Sequence, residues 1–298
     1  MKLVRTSILL FISMYSLSCA PENLPISVEP ADTKIAVASL VGPEDILLVS
    51  LTKSFSALSA EDIADISDDF VEALLVDSAL VTLTYDSFTD TLNTFFDITG
   101  LYATELQAFE DYQLMELSVF DPSTSESIRA QSVLQPAVEI DSLEMIKLDT
   151  LEFSLTQLNL SFDDPPDAEN YYVMQVYQFT PPDTLSSDTT EVDGVFFNDN
   201  NYLIYERLFT DAGAIDDGRI RREDFVNFSS PVDSALVVLT NIERGYYNFL
   251  EARGRSGNLI SSLANEPVNH PTNVENGVGY FSAHQPRAKL VIVKFEDD

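Results

Sequence analysis

The chain has no tryptophan, one cysteine and two histidines in 298 residues, and 16 basic residues stand against 49 acidic ones. Each scarcity excludes something. A single thiol cannot form an intrachain disulfide, so stability must come from the core or from metal ions. The formal net charge of −33 repels phosphate, which excludes nucleic acid as a partner and gives anionic lipid no electrostatic hold. The histidines, His270 and His284, belong to no His-Glu-x-x-His pattern, so a catalytic zinc has no motif to rest on. Both lie close to proline and read as surface or turn residues. There is no Gly-x-Ser-x-Gly elbow for a nucleophilic serine, and without tryptophan the usual ring for stacking on sugars is missing. No catalytic residue is assigned, and the chain reads as a non-enzyme.

What is present is enough to fold. Hydrophobic residues make up 45% of the chain, with 19 Phe and 12 Tyr among them, which takes it out of the disordered class. The length suits one large or two ordinary domains. The acidic surplus reads as solubility before it reads as cation capture.

The N-terminus has the order of an export signal. Lys2 and Arg5 precede an apolar run from Ile8 to Ile12, extended by Met14, Tyr15 and Leu17, too short to cross a bilayer. Ser16-Leu17-Ser18-Cys19 then has the form of a lipoprotein cleavage box, with Ser16 where leucine is more usual. The expectation is a signal peptide over residues 1–19 that ends at Cys19, the site of lipidation. The alternative is an ordinary secretory signal with a chance cysteine. Residues 20–33 are polar and Pro-rich and read as a tether.

Beyond the tether, strand signals dominate. Leu47, Val49 and Leu51 alternate with Leu48, Ser50 and Thr52; Val81, Leu83 and Tyr85 alternate with Thr82 and Thr84; Leu158, Leu160 and Phe162 alternate with Asn159 and Ser161. Tyr171, Val173, Gln175, Tyr177 and Phe179 form one face of a long strand and are expected to point inward. The runs at 235–239 and 290–293 read as buried strands. Short strands with Asp-, Pro- and Gly-containing turns predict a mainly β protein of two antiparallel β-sandwiches, immunoglobulin- or fibronectin-like, with short helical insertions. The division falls at Gln135-Pro136, giving 34–135 and 136–298. Ile63, Ile66, Phe70 and Leu74 recur at helical spacing and predict an insertion over 59–76 in the first unit. Thr240 and Glu243 have capping-box spacing ahead of Ile242, Tyr246, Phe249 and Arg253, predicting a helix over 243–253 in the second.

One loop is crowded with oxygen donors. Asp163, Asp164, Asp167 and Glu169, with Asn170, surround Pro165-Pro166 and form a candidate calcium site, since carboxylates this close repel one another without a cation. The plainer reading is a solvated acidic turn set by the two prolines. No other cofactor is expected. Arg219, Arg221 and Arg222 make a small basic spot that could seat an anionic ligand or pair with Glu223 and Asp224.

Three stretches carry a family resemblance. Ser161 to Tyr172 is a strand, an acidic Pro turn and Asn-Tyr-Tyr opening the next strand; Asn265-Glu266-Pro267-Val268-Asn269 leads to Thr272-Asn273-Val274-Glu275-Asn276-Gly277-Val278-Gly279-Tyr280-Phe281-Ser282-Ala283; and Ser78 to Thr84 follows a polar turn. With the cleavage box, these resemble the lipoproteins of the domain of unknown function 4249 (DUF4249) family of the Bacteroidota. The resemblance implies an immunoglobulin-like N-terminal sandwich, a C-terminal β-domain and an accessory role beside TonB-dependent outer-membrane receptors. The expected protein is thus a lipid-anchored outer-membrane binding or accessory subunit, facing the cell surface and attached to a receptor barrel. The rivals are a surface hydrolase, calcium-dependent or not, and a structural envelope or adhesion lipoprotein. The Asn-Gly-x-Gly-x-Phe stretch is expected to be architectural, running from a surface loop into one of the last strands beside the 243–253 helix.

Overall fold

The computed structural model describes residues 32–42, 45–54, 72–96, 98–106, 110–149, 154–166, 169–178, 202–213, 218–228, 234–256 and 270–295. The signal peptide, Cys19 and most of the tether lie outside these residues. So does most of the expected insertion at 59–76; its last turn, 72–74, is helical, and Leu75 bridges to Thr52.

Seven strands arise in the first half: β1 (Ile35–Val41), β2 (Ile46–Lys53), β3 (Leu80–Tyr85), β4 (Phe88–Thr94), β5 (Leu101–Glu105), β6 (Leu114–Asp121) and β7 (Glu126–Val133). Their alternation does what period two requires. In β3, Val81, Leu83 and Tyr85 are buried while Leu80, Thr82 and Thr84 face outward or lie half-buried. The second half supplies β8 (Ser142–Asp149), β9 (Ser154–Asp163), β10 (Tyr171–Gln178), β11 (Tyr202–Thr210), β12 (Arg219–Val226) and β13 (Ser234–Ile242), then helix α1 (Arg244–Ser256), β14 (Val274–Glu275), β15 (Val278–Tyr280) and β16 (Arg287–Phe295).

The protein is mainly β, as expected. Its strands form two large barrel-like sheets, one of nine strands in the order β14-β7-β6-β3-β4-β5-β2-β1-β15 and one of seven in the order β11-β10-β13-β16-β8-β9-β12. Each curls around its own core. Continuity comes from strands that change partners along their length. β4 pairs with β3 over most of its length and with β5 at Asn93 and Thr94. β16 pairs antiparallel with β13 up to Ile292 and parallel with β8 from Val293. Alternation along one strand carries no trace of such a change.

Two expectations need correction. Residues 273–283 were grouped with the second unit, yet β14 pairs with β7 and β15 pairs with β1, and Val274, Phe281 and Ala283 sit in the first core. The segment covers both edges of the nine-stranded sheet and joins them. It is called the strap below. In β10, the row that enters the barrel core is Tyr172, Met174 and Val176, not the Tyr171 row. Tyr171 and Val173 are also buried, but against Ile242 and Leu250 on the α1 side. β10 is apolar on both faces because both are covered.

Candidate functional site: the junction cavity

The strap is tied to the first sheet by side chains as well as by strand pairing. Asn273 donates Nδ2 to the carbonyls of Gln131 and Phe281 and accepts from the Phe281 N–H at 2.9 Å. Ser39 Oγ donates to Ser282 O at 2.9 Å and accepts the Ser282 N–H at 2.7 Å. The Ala283 N–H reaches Ser132 Oγ at 3.0 Å. Close approach requires glycine at Gly279, whose φ is +90° and where a Cβ would stand 2.0 Å from the Val37 carbonyl oxygen.

The second sheet reaches the strap through α1. The Tyr247 N–H bonds back to Glu243 O at 3.0 Å, so Glu243 is the residue from which the helix starts. Its carboxylate does not close a capping box, because Thr240 remains in β13. Instead it accepts the Val133 N–H of β7 at 3.2 Å and the Tyr280 hydroxyl at 2.9 Å. One side chain of the second half thus bonds both an edge strand of the first sheet and the strap. Burial raises the Glu243 carboxyl above its ordinary value, and these two bonds oppose the rise. At Gly245 a Cβ would collide with the Tyr280 hydroxyl, so the first helical turn has room only for hydrogen there. Arg253 and Arg255 in the last turn suit the negative end of the helix dipole, and Arg255 pairs with Glu251 at 2.6 Å.

Between β1, the outer faces of β10 and β13, α1 and the end of the strap lies a cavity of about 250 Å³. Leu40, Val173, Val238 and Leu250 give it apolar walls; Gln175, Glu206, Thr240, Tyr246, Arg253 and His284 give it polar groups. Glu206 accepts from Gln175 Nε2 at 2.9 Å and pairs with Arg253 at 3.3 Å. His284 is 5% exposed, stacks on Tyr246 at 5.8 Å between ring centres, and has Nδ1 3.3 Å from Ser282 Oγ. Burial lowers its pKa to about 4, so the ring is neutral at neutral pH. Tyr246 also packs on Tyr280 and Phe249, a ring cluster that fixes α1 over the strap. The arrangement can hold a small ligand between apolar walls with a neutral imidazole and an ion pair at hand. Ser282 is fully buried and does not line the cavity, so its contact with His284 presents no nucleophile there.

The sequence did not point here. His284 reads in the sequence as a surface or turn residue and is in fact buried. A histidine two residues from proline carries no local signal of what covers it; the cover comes from α1. The cavity's other residues are scattered from Ser39 to Pro286; pairing of β10 with β11 and β13 and the packing of α1 gather most of them, and Ser282 of the strap is bonded to Ser39 of β1.

Three of the four candidate calcium ligands are described, and each has a protein partner of its own. Asp163 pairs with Arg219 Nε at 3.0 Å, and Arg219 also bonds Asp141. Asp164 turns inward, accepting the Tyr172 hydroxyl and Asn170 Nδ2, and burial raises its carboxyl. Glu169 lies 3.9 Å from Arg244. Asp167 lies outside the described residues. Among the described residues, no group of three or more His, Cys, Asp or Glu is placed to hold a metal ion. The acidic turn is organised by protein donors: Asn170 Nδ2 also bonds the Pro165 carbonyl at 2.8 Å, and its N–H bonds Asp211 at 3.0 Å. The basic spot divides likewise, Arg219 going to Asp163 and Arg222 to Asp224 at 3.5 Å.

Fold and junction together define a mainly β protein of two barrel-like sheets locked by a shared strap. The family model described as Domain of unknown function (DUF4249) matches residues 22–289, and the chain belongs to that family. No curated protein matches it.

Proposed function

We propose that this chain is a lipid-anchored accessory or binding protein of the Bacteroidota outer membrane, held through Cys19 and docked on a TonB-dependent receptor. Its role is non-enzymatic and its face is the cell surface. In the same reading, each curled sheet is an immunoglobulin-like sandwich whose layers are joined through β4 in the first half and β16 in the second. The observation that carries the proposal is the junction. Glu243, Tyr280 and the strap fasten the two sheets to each other, which suits a rigid scaffold that presents loops and a small ligand cavity. The cleavage box at Ser16 to Cys19 supports the anchor.

Two experiments test it. Labelled palmitate should enter the wild type and not Cys19→Ala; an unlabelled, soluble wild type contradicts the anchor. Gentle detergent extraction with affinity purification should recover a large barrel protein in near-equal amount. Recovery of the chain alone contradicts the accessory role and leaves the structural-envelope reading in its place.

A further inference from the structure

The two sheets treat their edges differently. In the first, β1 and β7 are both covered, by β15 and β14 of the strap. In the second, β11 and β12 stand at opposite ends of the strand order, and no strand pairing joins them among the described residues. They nonetheless meet across a seam. Tyr205 of β11 donates its hydroxyl to Asp224 of β12 at 2.9 Å, and the Arg222 guanidinium lies 5.0 Å from the centre of the Phe209 ring. Hydrogen-bonded strands lie about 4.8 Å apart and pair directly. Here contact is made by the ends of long side chains, as between two edges with a gap between them.

The inward rows along this seam are polar where the rest of the core is not. Tyr205 and Arg207 are in register with the core residues Val176 and Met174. Arg222 and Asp224 are in register with Leu160 and Leu158. Arg207 is nevertheless exposed, and it makes no hydrogen bond or ion pair among the described residues. Asp224 is 7% exposed and its Oδ2 stands 3.5 Å from Arg222 Nη2, an ion pair without a hydrogen bond; among the described residues neither that oxygen nor the buried Nε of Arg222 has a hydrogen-bond partner. Buried polar atoms without partners are uncommon, because each carries an uncompensated desolvation cost. Two of them at one seam, beside an exposed arginine with no hydrogen bond or ion pair among the described residues, leave donor and acceptor capacity there for an added segment.

We infer that the seam between β11 and β12 takes up an extended, acidic segment of a partner protein by strand addition. Backbone groups on the two edges, unpaired on the seam side among the described residues, hold the segment, and its carboxylates meet Arg207 and Arg222. The strap does the equivalent for the first sheet within one chain. Arg207 shares the inward row of β11 with Tyr205, and the adjacent Glu206 lines the junction cavity, so the two sites share a strand. The identity of the partner rests on the accessory-protein reading; the binding chemistry does not.

The test is hydrogen exchange on the mature chain in detergent, with and without a peptide of about ten residues, a strand's length, alternating valine and glutamate. The acidic peptide should slow exchange in β11 and β12 about tenfold and leave β4 unchanged. A valine–lysine peptide should not, although the net charge of −33 favours it over the rest of the surface. Arg207→Glu, at an exposed position, should abolish the acidic peptide's effect and leave the melting temperature unchanged. The inference is overturned if the acidic peptide gives no protection, if the basic peptide protects equally, or if Arg207→Glu changes nothing. It is also overturned if β11 and β12 are already protected like central strands before peptide is added, because the chain would then fill its own seam. Receptor co-purification separates the two proposals. Arg207→Glu that still recovers the receptor refutes the seam and spares the accessory role; peptide binding by a wild type that recovers no receptor does the reverse.

Discussion

Replacing Gly279 by alanine should unlock the strap. The backbone there has φ of +90°, and holding a side chain in a sparsely populated region of that kind costs about 1–3 kcal/mol. The larger difficulty is the 2.0 Å approach of a Cβ to the Val37 carbonyl oxygen. That neighbour is backbone, so no rotamer change relieves the clash, and the strap must lift from β1. If it lifts far enough to unseat Phe281, which is fully buried in the first core, the loss approaches that of truncating a buried aromatic, about 3–5 kcal/mol. The expected cost of Gly279→Ala is therefore between about 2 and 5 kcal/mol. For a chain of this size that is a fall of about 5–15 °C in melting temperature. Gly254 is the internal control. It lies within α1 with nothing within 4 Å of an added Cβ, so Gly254→Ala should be neutral or stabilise by up to about 1 kcal/mol. Urea melts of both variants decide the matter. A Gly279→Ala protein as stable as the wild type would refute the claim that the strap lies tightly on β1.

Other perturbations follow from the same junction. His284 is neutral in the fold with a pKa of about 4, whereas the unfolded chain binds the proton near 6.5. Stability attributable to it is complete above the unfolded value and falls as pH drops from there toward 4, by up to about 3 kcal/mol. The stability difference between wild type and His284→Asn in urea melts should be flat above neutrality and shrink over that window; a difference independent of pH contradicts a buried neutral ring. Glu243→Ala leaves the Val133 N–H and the Tyr280 hydroxyl without their acceptor and should cost about 2–4 kcal/mol, whereas Glu243→Gln keeps an acceptor and should cost less than about 1. Equal losses in the two variants would mean that the carboxylate's charge, not its bonds, matters. With Asp163 held by Arg219 and Asp164 by Tyr172, millimolar calcium or a chelator should leave the melting temperature unchanged; a rise of several degrees with calcium would show that the acidic turn rearranges to bind it.

Local features of the fold were legible in the sequence, and long-range ones were not. Alternation located β3 and β9 and their buried rows, because one-sided burial imposes period two on the residues themselves. It misassigned β10, where Tyr171 and Val173 are buried under α1 and Tyr172 and Met174 in the barrel core. A strand covered on both faces has no polar row to fix its register. The helix was recognisable from Tyr246, Phe249 and Arg253, but the Thr240–Glu243 spacing suggested a cap that the structure does not make, since Glu243 is drawn to Val133 and Tyr280. Asn276, Gly277 and Gly279 announced a turn and a close approach. That the surface approached belongs to β1, far away in sequence, could be known only from the pairing of Val37 with Gly279. In the acidic turn, proximity in sequence points to a shared ligand, while Asp163, Asp164 and Glu169 each have a protein partner that lies elsewhere in the chain.

The central claim is that one C-terminal segment completes the first barrel and fastens it to the second. Native-state hydrogen exchange resolved over residues 272–283 tests it most directly. Joined to β1 and β7 as described, these amides should open with the same free energy as those of the two edge strands, and Gly279→Ala should lower all three together. Exchange of the strap within seconds, while β1 and β7 remain protected, would contradict the account.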